Sequence, residues 1–183
     1  MSGNAFLAVP ISGEDCHLLA AGLSEASSGH RVPGRRVPPE NWHITVRFMG
    51  EVDDVTVDRA LAELEQTLDV PISSVTLTGL GAFPDPRKAG IVYAGVRDHD
   101  NVLSSLAALS EEAVREVGLP AEERPFVPHV TLSRLRPRVN VEPLIASFGD
   151  FSVRIPVDRV VLFRSERTTG GLRYREIDDL TLS

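Results

Sequence analysis

His43-Ile44-Thr45-Val46 and His129-Val130-Thr131-Leu132 are the two tetrapeptides on which the reading of this chain turns. Each alternates polar and apolar residues. Successive side chains of an extended strand point to opposite sides, so His43 and Thr45 share one face while Ile44 and Val46 share the other. His129 and Thr131 stand against Val130 and Leu132 in the same way. In each copy the apolar pair anchors the strand to a core. The histidine and threonine are left to face something else.

Outward from these strands, the elements come in a repeating order. Asn4 to Pro10 reads as a short buried strand. Ser12 is placed to cap a helix with Asp15 three residues on, and Leu18, Leu19, Gly22 and Leu23 keep helical spacing up to Ser27-Ser28-Gly29. Residues 29–40 read as a loop rich in Gly, Pro and Arg. His43 to Phe48 is a strand, and Asp53 or Asp54 caps a helix carrying Val57, Ala60, Leu61, Leu64 and Leu68 on one side. Val75 to Leu80 is a strand, and Phe83 to Arg87 is a loop. From Ala89 the order restarts, with a strand over Ile91 to Val96 and a helix over Asn101 to Val117. A strand over Pro128 to Arg134 and a short helix over Val141 to Phe148 follow, then two closing strands over Val157 to Phe163 and Leu172 to Leu182. Leu7 aligns with Val92, His43 with His129 and Leu77 with Leu162, at an offset of 85 or 86 residues. So constant an offset predicts a duplicated strand-helix-strand-helix-strand unit, with halves of about 1–86 and 87–183 inside one domain spanning 1–183. Related by a pseudo-two-fold axis, the two His/Thr pairs converge on one cleft.

Composition narrows the function classes. The chain has 183 residues, 42% of them hydrophobic and 25% charged, with a net charge of −7. That is an ordinary globular composition. The acidic balance argues against coating DNA or an anionic membrane through a general basic field, and leaves room for a local basic cleft. The single cysteine, Cys16, excludes an internal disulfide and a cysteine-built zinc site, and suits a reducing cytosol. No apolar run approaches the roughly 18 residues that span a bilayer, and Met1-Ser2-Gly3-Asn4 lacks the basic start of a secretory signal. A cytoplasmic protein with no membrane partner is expected, and nothing argues against a monomer.

Histidine titrates near pH ~6.5, so one imidazole of a facing pair can stay neutral while the other keeps a proton. Such a pair supplies base and acid to an in-line displacement at phosphorus. The hydroxyls of Thr45 and Thr131 beside the imidazoles suit the non-bridging phosphate oxygens. Arg31, Arg35 and Arg36 precede the first copy, and Arg134, Arg136 and Arg138 follow the second. Arg134 is the favoured phosphate ligand among them, although strict alternation from His129 turns it to the other face, so a twist or bulge is required. Phe48 divides evenly between a core role and a stacking surface for a base. His17 beside Cys16 reads as structural, and His30 and His99 as loop residues without a role. Gly79 and Gly81 form no phosphate loop. With no HExxH motif and no cysteine pair, neither a metal nor a cofactor is expected.

Asn41-Trp42-His43-Ile44-Thr45-Val46-Arg47-Phe48-Met49-Gly50-Glu51-Val52 resembles the first signature of the two-histidine (2H) phosphoesterases. Within them it is similar to the RNA 2′,3′-cyclic phosphodiesterases, historically called 2′-5′ RNA ligases (LigT-like). Phe126-Val127-Pro128-His129-Val130-Thr131-Leu132-Ser133-Arg134 resembles the second signature. Phe6 to Pro10 and Val161 to Glu166 are also similar to family positions, so the likeness runs over nearly the whole chain. Val46 and Met49 depart from it, where leucine is common. The resemblance implies an α+β fold of two pseudo-symmetric lobes, each an antiparallel sheet backed by helices, with the active-site cleft between them. It further implies metal-independent opening of terminal 2′,3′-cyclic phosphates to 2′-phosphates, on RNA ends or cyclic nucleotides. His43 would protonate the leaving O3′, His129 would activate water, and Thr45 and Thr131 would hold the phosphate. Phe48 and Arg134 would line the substrate site. Two other readings use the same cleft: 2′-5′ joining of RNA, with a 5′-hydroxyl in place of water, and a non-catalytic binder of RNA ends or nucleotides.

Overall fold

The computed structural model describes residues 3–183. The chain runs β1 (Asn4–Pro10), α1 (Gly13–Ser27), β2 (Arg35–Arg36), β3 (His43–Glu51), α2 (Asp54–Thr67), β4 (Ser73–Phe83), β5 (Ala89–Arg97), α3 (Val102–Glu116), β6 (His129–Val139), α4 (Glu142–Ser147), β7 (Val153–Val157), β8 (Arg159–Thr168) and β9 (Gly171–Thr181). Local chemistry sets the helix starts where the sequence places them. Ser12 Oγ accepts from the Asp15 amide at 3.1 Å and donates to Asp15 Oδ2 at 2.7 Å. Asp53 Oδ1 accepts from the Thr56 amide at 2.9 Å. The two bonds from Asp15 and Thr56 satisfy amides that the first helical turn leaves free.

The strands form two antiparallel sheets, ordered β3-β1-β8-β9 and β2-β6-β5-β4-β7. The fold is therefore the expected two-lobed α+β arrangement, and its connectivity explains the repeat. In the first sheet β1 lies between β3 and β8; in the second β5 lies between β6 and β4. The third strand of each sequence unit thus pairs with the other unit's strands, β4 beside β5 and β8 beside β1. Neither sheet is built from one half of the chain alone. The exchange joins both lobes through one apolar core, in which Leu7, Ile44 and Leu162 meet Leu77, Leu103 and Val130. Helix α2 packs on α3, and α3 on β3. No helix among the described residues is long and apolar enough to cross a membrane.

Two short strands depart from the sequence reading. Arg35–Arg36 pairs with Arg134 and Ser133 of β6 inside what reads as a loop. Val153–Val157 pairs with β4 as a separate strand. Two arginines carry no apolar alternation, so only their non-local pairing makes them a strand. Pro156 argues against a central strand, and β7 is an edge, where proline costs no ladder bond.

Candidate active site

Strands β3 and β6 approach one another across the two sheets, and each delivers its histidine in the same way. His43 Nδ1 lies 2.8 Å from the Asn41 carbonyl, and His129 Nδ1 lies 2.7 Å from the Val127 carbonyl. A carbonyl oxygen only accepts, so both rings carry their neutral-state proton on Nδ1 and leave Nε2 as the nitrogen able to accept one. Thr45 Oγ1 donates to His43 Nε2 at 3.1 Å.

The required bulge is present, and it occurs twice. Along β6, Tyr93 faces Thr131 while the adjacent Val92 faces Ser133, so Leu132 is an extra residue. Along β3, Ala8 faces Thr45 while Leu7 faces Arg47, so Val46 is extra. Each bulge resets the alternation by one residue. Arg134 and Phe48 consequently occupy equivalent places, both exposed on the face of the histidine and threonine. Phe48 pairs directly with Phe6, a ring neighbour of His43, and is 46% exposed, too open for a core residue. The bulges also turn Arg47 and Ser133 inward. Arg47 Nε pairs with Glu111 at 2.5 Å, and its guanidinium donates to the carbonyls of Phe48 and Pro120. Ser133 Oγ donates to the Pro33 carbonyl at 2.7 Å, tying the loop before β2 to β6.

Aromatic rings seat the imidazoles, and these residues carried no role in the sequence reading. Around His43 stand Phe6 at 4.9 Å, Tyr174 at 5.0 Å and Phe163 at 6.1 Å between centroids. Around His129 stand Phe83 at 4.9 Å and Tyr93 at 5.2 Å. The alternation of β1 was the available signal: Leu7 and Val9 point to the main core, which leaves Phe6 on the site face. Gly81 is explained here, because a Cβ at that position would collide with the Tyr93 ring.

Burial among these rings lowers the pKa of His43 from 6.5 to about 4; its bond to Asn41 opposes the shift, and the charges of His129 and Arg134 reinforce it. His129 is lowered too, by burial first, with its bond to Val127 opposing and Arg134 adding to the effect. Arg134 therefore acts on both imidazoles, and at neutral pH both are uncharged, a poised state for accepting and returning a single proton. Arg31, Arg36, Arg136 and Arg138 are exposed and are not gathered at the histidines by any bond or ion pair among the described residues. No group of three or more His, Cys, Asp or Glu among the described residues is arranged to hold a metal ion.

The model of the 2′-5′ RNA ligase superfamily matches residues 17–169. The chain belongs to this superfamily. An RNA 2′,3′-cyclic phosphodiesterase of Aeropyrum pernix is 31% identical over 161 residues, 86% of this chain and 91% of that protein. One of Methanothermobacter thermautotrophicus is 31% identical over 149 residues, 78% of this chain and 79% of its own. Among solved structures, E. coli LigT complexed with 3′-AMP shares the fold at a TM-score of 0.78 and 22% identity, covering 100% of this chain and 99% of that one.

Proposed function

We propose that this superfamily member is a metal-independent RNA 2′,3′-cyclic phosphodiesterase, which hydrolyses terminal 2′,3′-cyclic phosphates to 2′-phosphates. The observation that carries the reading is the pair of imidazoles with Nδ1 fixed by a carbonyl and Nε2 left reactive, on two strands that meet across the cleft. Water attacks phosphorus and gives its proton to His129 Nε2. The P–O3′ bond breaks in line, and His43 Nε2–H delivers a proton to O3′. The product carries a 2′-phosphate and a free 3′-hydroxyl, and the proton balance is restored when His129 passes its proton to solvent and His43 regains one. Thr45, Thr131 and Arg134 hold the non-bridging oxygens as charge builds there, and Phe48 offers the base a stacking face.

His43 must be protonated to act as the acid, yet burial holds it neutral in the free protein. The cyclic phosphate carries a negative charge, which favours the imidazolium beside it. Substrate binding is thus the event that arms His43. We take the protein to act in the cytoplasm as a single bilobal domain and a monomer, with the buried Cys16 thiol reduced.

The test is hydrolysis of 2′,3′-cyclic nucleotides and of a short RNA ending in a 2′,3′-cyclic phosphate, in excess EDTA, with 2′- and 3′-phosphate products resolved. Turnover to the 2′-phosphate is expected. A 3′-phosphate product reverses the leaving group, joined RNA halves in place of hydrolysis favour the ligase reading, and tight binding without turnover makes the protein a reader of RNA ends.

A further inference from the structure

Arg35 lies directly opposite Arg134 in the β2–β6 pair. Directly opposed residues of an antiparallel pair project from the same face, with Cα atoms about 5 Å apart. Arg35 therefore shares the face of His129, Thr131 and Arg134, whereas Arg36, opposite the inward-turned Ser133, projects from the other side. A second observation gives the direction of the side chain. Arg35 Nη2 lies 3.9 Å from the place a Cβ would occupy on Gly171, in the hairpin joining β8 to β9 of the other sheet. Arg35 thus reaches from the edge of one sheet to the hairpin of the other, across the mouth of the cleft.

Two like charges opposed across a strand pair destabilise it. The buried Arg47 and Arg164 are paired with Glu111 and Asp54, whereas Arg35 and Arg134 are exposed and opposed to one another. Neither Arg35 nor Arg134 has an ion-pair partner among the described residues. In a protein of net charge −7 with 26 acidic residues, two adjacent exposed guanidiniums on the face of the histidines make a local positive site suited to anions. The arrangement across the sheet is also polar in direction. From His129, the aromatic rings of Tyr93 and Phe83 lie on the β5 and β4 side, Arg134 lies further along β6, and Arg35 lies beside it on the β2 edge.

We infer that Arg35 binds a second phosphate, the phosphodiester one nucleotide upstream of the cyclic end. This rests on the hydrolase reading above and sharpens its substrate class. Arg134 takes the terminal phosphate beside the histidines, and Arg35 takes the next one as the chain leaves the cleft past the β8–β9 hairpin. The preferred ligand is then an oligoribonucleotide end, and a cyclic mononucleotide fills only the inner half of the site. Arg35 is a specificity residue, because it meets a group that the reaction leaves unchanged.

The experiment compares the Kd of a labelled ribotrinucleotide ending in a 2′-phosphate with that of 2′-AMP, by fluorescence anisotropy and competition, over a range of salt. The wild-type protein is expected to favour the trinucleotide. Arg35→Gln should cut that preference about tenfold and reduce the slope of log K against log salt by about 0.7, the share of one phosphate on a single strand. Arg35→Lys should recover most of the salt slope, since it keeps the charge. Equal binding of the two ligands by the wild type, or a preference unchanged in Arg35→Gln, overturns the assignment. Hydrolysis by the wild type of a short RNA ending in a 2′,3′-cyclic phosphate, run alongside, tests the parent reading separately: no turnover of it removes the hydrolase and leaves the Kd ratio to judge the second phosphate site.

Discussion

The β3 and β6 copies use one backbone plan and two different settings. Both histidines give Nδ1–H to the carbonyl two residues earlier, both threonines are followed by a one-residue bulge, and both bulges expose the position three beyond the threonine. The settings then part. His43 lies among Phe6, Phe163 and Tyr174, with its Nε2 bonded to Thr45. His129 has Phe83 and Tyr93, and its own strand bears Arg134. At the two equivalent exposed positions, one copy has Phe48 and the other Arg134. The two strands share one backbone plan, and burial and charge then separate the two imidazoles. An acid and a base need different environments, so the departures from symmetry are where their roles are set.

The largest test removes one side at a time. His43→Ala and His129→Ala should each lower kcat by about 10²- to 10⁴-fold, the usual worth of a positioned acid or base. The pH profiles then separate the two. A base must be deprotonated, so the loss of rate at low pH belongs to His129 and should vanish in the little activity left to His129→Ala. An acid must be protonated, so the loss of rate at high pH belongs to His43 and should vanish in His43→Ala. In the wild type, the high-pH limb should lie further toward alkaline pH in kcat than in kcat/KM, because kcat reports the complex in which the phosphate charge supports the imidazolium. The opposite pairing of limb and variant would exchange the two roles.

Much of this comparison was legible in the residues. The polar/apolar alternation around His43 and His129 gave both strands and the shared face, and the offset of 85 or 86 residues pointed to their recurrence. Ser12 and Asp53 marked helix starts because a cap is a local interaction. What stayed hidden was non-local. The exchange of β4 and β8 between sheets leaves no mark on either strand, since a strand's own pattern records that it is half-buried and says nothing of its partner. The β6 bulge was required by Arg134 and the β3 bulge was not anticipated; the pair of inward residues that makes each one, Val46-Arg47 and Leu132-Ser133, reads on its surface as a polar residue out of place. Arg47 is buried at 8% exposure because Glu111 lies 64 residues away in sequence and beside it in space. The rings around the histidines come from β1, β4, β5, β8 and β9, and only the sheet order brings them together.

Stability against pH gives the next largest effect. His43 titrates near 6.5 when unfolded and at about 4 when folded. Between those values the unfolded chain binds more protons, so stability is full above pH 6.5 and is lost as pH falls toward 4. A shift of that size is worth about 3 kcal/mol. Urea unfolding at pH 7 and pH 4.5 should show the loss, and His43→Gln should remove much of it, once the background from carboxylates common to both proteins is subtracted. His129→Gln should remove less, because His129 is less strongly buried. Equal effects from the two variants would make the settings equivalent.

Arg134 acts across the divide. Its charge lowers both imidazoles, so Arg134→Gln should move both titrations upward, as read from the histidine ring protons by NMR. Turnover should fall about tenfold or more with the loss of a charge-assisted bond to phosphate. Phe48→Leu, at the equivalent position on β3, changes no charge and should leave the direction of both titrations as it is. An upward move at one histidine alone in Arg134→Gln would confine the arginine to that side.

The smallest effect concerns the rings themselves. Tyr174 stands edge-on to both Phe6 and His43, at 5.1 and 5.0 Å between centroids. Tyr93 lies against Phe83 and His129 at 4.5 and 5.2 Å. Replacing either tyrosine by leucine forfeits aromatic contacts worth about 0.5–1.5 kcal/mol per pair. The two should differ in what they do to the neighbouring imidazole. Desolvation is the leading cause of the shift at His43, and it is opposed only by the Asn41 bond, so admitting water through Tyr174→Leu should carry its titration back toward 6.5. At His129, which is less deeply buried, less desolvation is relieved by Tyr93→Leu, and the upward move should be smaller. A larger move at His129 would place the dominant desolvation on the β6 side, and with it the histidine that substrate charge must arm.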